Sequence, residues 1–173
     1  LLVHLGMTGS LRVLTRPQAV QAHEHVDIEW VDGRILRYRD PRRFGAFLWT
    51  DSDPEQHPLL ARLAPEPLCA QFDTDWLTRK LARRSTPIKV AIMDAQCVVG
   101  VGNIYASESL FRAGISPLRP AASLNANEIA RLLAEIRSTL AAAIAAGGTT
   151  LRDYVDSDGK AGYFSLQCAV YDR

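Results

Sequence analysis

The segment from Asp40 to Gly45, with the sequence DPRRFG, carries residue types suited to chemistry on a stack of bases. A tight turn here would present Arg42, Arg43 and Phe44 at its tip. An aromatic ring inserted into a base stack replaces lost stacking, and a guanidinium can read the edge of a base that has lost its partner. Taken alone, however, the segment is more typical of a hairpin whose Phe44 packs inward.

A second segment, residues 88–115, suits the binding of a phosphate. Its pattern predicts two helices joined by a turn that places Gly100 and Gly102 directly before the second helix. Glycines allow close approach, and the free N–H groups at a helix start attract anions. Asn103 can cap this helix or donate its amide to a phosphate, and Lys89 adds positive charge. The alternative is a helical hairpin packed in the core, because Gly-Val-Gly-Asn alone is a weak signal.

Residues 23–27 read HEHVD, and on a strand His23, His25 and Asp27 would share one face. Such a triplet resembles a metal site. With no cysteine or fourth ligand nearby, a polar strand face or a histidine that contacts a phosphate is the favoured interpretation.

Residues 147–164, with the sequence GGTTLRDYVDSDGKAGYF, predict a helix end followed by a polar loop rich in glycine. The loop would either close over a bound ligand with its backbone amides or serve as a connector. Composition does not decide between the two.

Charge is distributed unevenly along the chain. Twenty basic residues against nineteen acidic ones give a net charge of +1, which supplies no global attraction to nucleic acid or to an anionic membrane. Residues 34–43 and 79–89 nevertheless hold ten of the basic residues against a single acid. Charge runs are usually solvated faces, but two of them on either side of a domain boundary also fit a cleft that grips a phosphate backbone.

The order of predicted elements is β first and α second, which indicates an α+β fold. Short β-rich runs punctuated by glycine fill the first 50 residues and predict antiparallel strands. Four prolines in residues 51–67 mark a boundary. After it, apolar spacing of three and four predicts a helix over 125–146, with Asn125 and Glu128 at its start, and shorter helices over 74–84, 87–94 and 103–113.

The three cysteines lie far apart without a CxxC pair, so neither a zinc knuckle nor a disulfide framework is indicated, and a reducing cytoplasm fits best. No stretch predicts a membrane span, so we expect a soluble protein. The chain opens Leu-Leu-Val-His without Met and closes in an alternating apolar stretch. We therefore expect an internal piece of a longer protein.

Taken together, these segments resemble the bacterial formamidopyrimidine-DNA glycosylase family, bifunctional enzymes that excise 8-oxoguanine and ring-opened purines. The resemblance lies in HLGMTGSL at 4–11, DPRRFG at 40–45, GVGNIYASE at 100–108 and the segment 147–164. It extends over essentially the whole chain in the family's order, and motifs this long are highly specific.

The resemblance implies part of an antiparallel β-sandwich over 1–52, a proline-rich linker over 53–67 and a helix-two-turn-helix DNA-binding domain over 68–173. Within that domain, Lys89 and Asn103 would contact phosphates beside the lesion. The target nucleotide is everted because its sugar-base bond cannot be reached inside the stack. The side chains that fill the resulting gap would be those of Met7, Arg42 and Phe44, with Arg42 facing the opposite cytosine.

Further positions match family residues close to the DNA backbone: His4, His23, Arg43, Arg84, Ile104 and Tyr171. The lesion-covering loop would include Ser157, Asp158, Gly159, Lys160, Gly162 and Tyr163. Glu108 lies one turn beyond Ile104, so it would either support catalysis or, at least as readily, have a structural role.

Family catalysis uses an N-terminal proline amine that forms an imine with the sugar, an adjacent glutamate and a lysine of the N-terminal sheet. None of these is located here, and neither is the family's zinc finger with its four cysteines. We expect this chain to be the recognition part of the enzyme, without cofactor or metal and inactive alone. The full-length family implies one structural zinc, a monomer, damaged double-stranded DNA as partner and a place with the bacterial nucleoid.

Three alternatives remain at this point. The first is an endonuclease VIII-like glycosylase for oxidised pyrimidines, although the long lesion loop and the intact Arg-Arg-Phe segment favour the purine enzyme. The second is a non-catalytic protein that binds damaged DNA. The third is a helical structural module with incidental basic faces. An exposed sheet edge would in addition favour self-association.

Overall fold

The computed structural model describes residues 1–148 and 168–171. These residues form two compact units, the first comprising 1–57 with 146–148 and the second 58–145 with 168–171. The chain passes from the first unit to the second between His57 and Pro58.

The first unit contains five short strands in two antiparallel sheets. The strands are β1 (Leu2–His4), β2 (Ser10–Leu14), β3 (Glu24–Glu29), β4 (Ile35–Arg39) and β5 (Ala46–Leu48). One sheet pairs β1 with β5, and the other has the order β2-β4-β3. All three strand pairings are antiparallel, as the sequence predicts, but only β3 and β4 are consecutive strands joined by a short turn.

A buried arginine ties the three-stranded sheet to the loop between β2 and β3. Arg37 on β4 is 3% exposed, and its guanidinium pairs with Asp27 at 2.7 Å and with Glu24 at 2.9 Å. The same group donates to the carbonyls of Gln18 and Ala19. Arg37, one member of the basic run 34–43, therefore has a structural role, because its charge is paired inside the unit.

Four helices build the second unit: α1 (Thr74–Leu81), α2 (Ile88–Ile92), α3 (Asn103–Arg112) and α4 (Ala126–Ala145). Their buried faces form one apolar core that includes Phe72, Leu77, Ile92, Leu110 and Leu132, all nearly inaccessible. This core fixes α3, the helix that carries Asn103, Ile104 and Glu108 among the sequence-predicted site residues.

Local sequence signals mark the start of α4 and the end of α3. Asn125 Oδ1 accepts the N–H of Glu128, and the Glu128 carboxylate accepts the N–H of Asn125, which makes a reciprocal capping box before α4. At the end of α3, Gly114 adopts φ +64°, and Ile115 donates its N–H to the Leu110 carbonyl. That pattern is a Schellman motif, which requires a left-handed residue and so favours glycine.

The α+β class and the four helices confirm the sequence analysis. The strand pattern at 23–27 differs from the expectation. β3 begins only at Glu24, His23 has φ +70°, and a bulge lies between Glu24 and Val26. His23 therefore lies outside the strand and does not share a face with the other two, whereas burial still alternates along β3 and leaves His25 and Asp27 both exposed.

The cysteines at 69, 97 and 168 form no disulfide within the described residues. Burial raises the pKa of Cys97 to about 11, so its thiol is inert at neutral pH. Within the described ranges, no helix is both long and apolar enough to cross a membrane.

Candidate nucleic-acid interface

The turn between β1 and β2 presents Met7. Gly9 donates its N–H to the Leu5 carbonyl at 2.8 Å, and Gly6 donates its own to His4 Nδ1 at 3.1 Å. Gly6 adopts φ +61°, a conformation that residues with a Cβ rarely take. The Met7 side chain is 78% exposed at this turn.

The turn between β4 and β5 presents Arg42, Arg43 and Phe44. All three are exposed, and Phe44 is 64% exposed. Arg43 adopts φ +56°, which is unusual for a residue other than glycine. The interpretation in which Phe44 packs inward is therefore wrong, since this ring lies on the surface.

The two turns lie against each other. A Cβ added to Gly6 would lie 2.8 Å from the backbone carbon of Phe44. The guanidinium of Arg42 lies over the Phe44 ring, 5.3 Å from its centroid. The first unit thus gathers Met7, Arg42 and Phe44 on one surface, which we call the wedge surface. An aromatic ring, a thioether and a guanidinium are suited to contact unstacked bases.

A buried carboxylate lies under the wedge surface. Asp40 is 1% exposed and accepts hydrogen bonds from Thr8 Oγ1 at 3.0 Å, Tyr38 Oη at 3.0 Å and the Gly45 N–H at 2.8 Å. The Gly45 N–H above all, and the two hydroxyls, hold the pKa of Asp40 below its ordinary value despite burial. The carboxylate is ionised at neutral pH.

In the second unit, the start of α3 follows two glycines. Gly100 has φ +74°, and the N-cap is Gly102, which makes no side-chain capping bond. Apart from its chain neighbours, no described residue lies within 4 Å of a Cβ added to either glycine. Asn103 is the first helical residue rather than the cap, and its side chain is exposed. This arrangement fits an anion at the helix start.

The basic residues near α3 differ in how much charge they have available. Arg84 is half-buried and pairs with Asp94 at 2.8 Å, so part of its charge is compensated. Lys89 on α2 is also half-buried and lines a mostly apolar cavity of about 610 Å³ beside α3. Ile104 is half-buried in the first turn of α3. Lys89 is the stronger candidate for a phosphate contact.

Glu108 does not face solvent. It is fully buried on α3, and its carboxylate accepts the backbone N–H groups of Ala169, Val170 and Tyr171 at 2.8–2.9 Å. Burial by itself would raise the pKa of Glu108, but these three donors outweigh it and hold the pKa below the ordinary value. Glu108 therefore anchors the segment 169–171 to α3.

The remaining predicted residues are distributed as follows. His4 is exposed at the end of β1, and His23 is exposed at the turn before β3. Tyr171 is half-buried. The lesion-loop positions lie outside the described residues: Ser157, Asp158, Gly159, Lys160, Gly162 and Tyr163.

The side chains of the segment 23–27 are not arranged to bind a metal ion. His25 Nε2 lies 2.9 Å from the Asp40 carbonyl oxygen, and the Asp27 carboxylate is bound to Arg37. Within residues 1–148 and 168–171, no group of three His, Cys, Asp or Glu side chains is placed to hold an ion. The zinc implied by the family resemblance thus has no ligand set in the described part.

Sequence reasoning missed Asp40, Thr8 and Tyr38 as a group. Asp40 is the first residue of DPRRFG, but the motif draws attention to its arginines and ring. The period-two pattern of β4 places Tyr38 and Asp40 on the same face, which was the available signal. The partnership with Thr8 crosses 32 residues and leaves no local trace.

Two family models match the chain. The formamidopyrimidine-DNA glycosylase H2TH domain matches residues 63–155, and the formamidopyrimidine-DNA glycosylase N-terminal domain matches residues 1–47. This chain belongs to the formamidopyrimidine-DNA glycosylase family. The fold class and the family resemblance stated above are thereby confirmed.

Relatives of this family align along the whole chain. The formamidopyrimidine-DNA glycosylase of Laribacter hongkongensis is 57% identical over 173 residues, covering 100% of this chain and 64% of the relative. The crystal structure of MutM (Fpg) from Thermus thermophilus matches with TM-score 0.86 and 42% identity, over 99% of this chain and 63% of that one. A complex of Lactococcus lactis Fpg with DNA containing an abasic site matches with TM-score 0.82 and 30% identity, over 98% and 62%. The chain thus spans less than two thirds of these relatives.

Proposed function

We propose that this chain is the DNA-recognition region of a base excision repair glycosylase and AP lyase that removes oxidised purines from duplex DNA. The observation that carries the proposal is the wedge surface. Met7, Arg42 and Phe44 come from two turns that are 35 residues apart in sequence, yet they lie together and exposed. A lone exposed ring is common on proteins, whereas this combination is suited to a gap in a base stack.

The wedge surface would offset the energetic cost of everting a base from the stack. A base inside the stack cannot be attacked at its sugar bond, so it must be everted at a cost of a few kcal/mol. Contact between an aromatic ring and a base contributes about 1–3 kcal/mol, which offsets a comparable cost. Phe44 supplies the ring, and the Arg42 guanidinium beside it would hydrogen-bond the base left without its partner.

The second unit supplies the phosphate contacts in this proposal. The uncapped start of α3, with exposed Asn103, would bind one phosphate through backbone N–H groups, and Lys89 would bind another. His4, His23, Arg43, Arg84, Ile104 and Tyr171 would lie along the backbone, and the loop that includes Lys160 would cover the lesion. These contacts position the duplex without reading its sequence.

The substrate follows from the family. Its name specifies formamidopyrimidines, and the Lactococcus relative was solved with DNA that contains an abasic site. We extend both to this chain, with damaged duplex DNA as partner, 8-oxoguanine and formamidopyrimidines as lesions, and the bacterial nucleoid as the place of action. The imine-forming proline and the structural zinc would belong to the whole enzyme, which we expect to be a monomer.

The test is binding of this chain to matched duplexes that carry 8-oxoguanine, an oxidised pyrimidine, an abasic analogue opposite cytosine, or no damage, at two salt concentrations. We expect tighter binding to the abasic and oxidised-purine duplexes than to the other two. Equal affinity for all four would overturn the proposal, and a preference for the oxidised pyrimidine would favour the endonuclease VIII-like alternative.

Salt dependence separates phosphate contacts from base contacts. Lys89→Ala should weaken binding to every duplex and reduce the slope of log affinity against log salt by about one. Arg62→Ala is the control, because Arg62 is an exposed basic residue outside the two basic runs 34–43 and 79–89 and has no role in the proposed contacts. If the two variants have the same slope, the phosphate role of Lys89 is wrong.

A further inference from the structure

We propose that Asp40 is the positioning residue of the wedge surface: its buried carboxylate clamps the Met7 turn and the Arg42–Phe44 turn in one geometry. The inference rests on the proposed function and deepens it, because it names the group that gives the wedge its specificity for a gap. Asp40 itself is buried, so we propose no direct contact between its side chain and DNA.

The contacts of the two carboxylate oxygens divide between the turns. Oδ1 accepts from Thr8 Oγ1 at 3.0 Å, and Thr8 directly follows Met7. Oδ2 accepts from the Gly45 N–H at 2.8 Å, and Gly45 directly follows Phe44. Each oxygen thus holds the neighbour of one wedge residue. A third donor, Tyr38 Oη, fixes Oδ2 from β4 at 3.0 Å.

The backbone of Asp40 is held as well. Its N–H donates to the His23 carbonyl at 2.9 Å, and its own carbonyl accepts from His25 Nε2 at 2.9 Å. The backbone N–H and carbonyl of Asp40 are therefore fixed by His23, directly before β3, and by His25 on β3. The carboxylate cannot shift without breaking these bonds, so it is a rigid reference point for both turns.

The space around the clamp is filled. A Cβ on Gly45 would meet Tyr38 Oη, the His4 carbonyl and Asp40 Oδ2, and a Cβ on Gly6 would meet the Phe44 backbone. Only glycines let the turns come this close. Pre-ordering the wedge lowers the entropy lost on insertion, and this gain applies to a gapped duplex but not to an intact one. The clamp should therefore control discrimination rather than general affinity.

The test compares Asp40→Ala with Asp40→Asn. Alanine removes every acceptor, so we expect the ratio of affinities for abasic and undamaged duplex to fall about tenfold or more, while affinity for undamaged duplex and its salt slope stay unchanged. Asparagine should restore much of the ratio, because its oxygen can serve Gly45 and Tyr38 while the Thr8 hydroxyl turns to accept from its amide. A purely structural defect would lower both affinities.

Asp32→Ala is the matched control, since Asp32 accepts two hydrogen bonds from Arg34 in the exposed β3–β4 turn and should leave the ratio unchanged. Thr8→Val, which removes only the link to the Met7 turn, covers the case in which Asp40→Ala fails to fold. A folded Asp40→Ala or Thr8→Val that keeps the wild-type ratio would overturn the proposal.

Hydrogen exchange separates failure of this inference from failure of the proposed function. Amides of residues 6–9 and 42–45 should exchange faster in Asp40→Ala than in the wild type, without DNA present. If the wild type shows no preference for the abasic duplex, the proposed function fails, and with it the role of the clamp in recognition. Unchanged exchange in both turns would refute the clamp itself.

Discussion

Glu108 and Tyr171 are joined across 63 residues of sequence by a hydrogen bond of 2.9 Å from the Tyr171 N–H to Glu108 Oε1. The same carboxylate accepts the N–H groups of the two preceding residues. A buried acid on α3 therefore fixes the segment 169–171. The alternative of a structural role for Glu108, left open by the sequence, is the one that this geometry favours.

Glu108→Gln should weaken this anchor. Glutamine presents one oxygen and one NH₂ group to three N–H donors, which leaves at least one donor unsatisfied at a cost of about 1–3 kcal/mol. We expect a lower midpoint of urea unfolding and faster hydrogen exchange at 169–171. Glu135→Gln on α4 is the control, and equal stability of the two variants would show that the anchor contributes nothing.

Gly6→Ala should disturb the wedge surface more than an equivalent change elsewhere. Gly6 and Gly33 both have positive φ, +61° and +83°, so alanine at either position costs about 1–2 kcal/mol in backbone strain. Only at Gly6 does the new Cβ also meet the Phe44 backbone. Gly6→Ala should therefore lose both stability and preference for an abasic duplex, whereas Gly33→Ala should lose stability alone. The same loss of preference in both variants would contradict the close approach of the two turns.

Stability should fall at acid pH. Arg37 lowers the pKa of Asp27, the Gly45 N–H lowers that of Asp40, and backbone donors lower that of Glu108. The folded state then binds fewer protons than the unfolded state, so the stabilisation is present above the ordinary values of 3.8 and 4.5 and is lost as pH falls through the folded pKa values. Tm should be level above about pH 5 and fall below about pH 4. A Tm that stays constant from neutral pH to about pH 3 would contradict these shifts.

Local signals explain why the helices could be predicted. The capping box of Asn125 and Glu128 and the glycine after α3 are written in adjacent residues, and they act within one helical turn. The strands were predictable in kind for the same reason. The start of β3 was not, because the left-handed His23 and the following bulge depend on pairing with β4.

The site was predictable only in part. The family motifs identified Met7, Arg42 and Phe44, but the residues alone favoured an inward ring. Phe44 lies beside Gly6, and Asp40 binds Thr8 of the same turn as Gly6, and these are contacts between distant segments. Likewise, Arg37 looks like one more surface charge in sequence, and only the sheet shows that Glu24 and Asp27 bury it.

Occupation of the gap in damaged DNA by Phe44 is what the proposed function requires above all. Its most direct test is the ratio of Kd values for undamaged and abasic duplex, measured for the wild type, Phe44→Ala and Phe111→Ala. Phe111 is a matched control, a phenylalanine 57% exposed on α3 against 64% for Phe44. We expect Phe44→Ala to reduce the ratio by about fivefold to a hundredfold, since stacking on a base contributes about 1–3 kcal/mol, and Phe111→Ala to leave it unchanged. A ratio in Phe44→Ala equal to that of the wild type would contradict this role of Phe44.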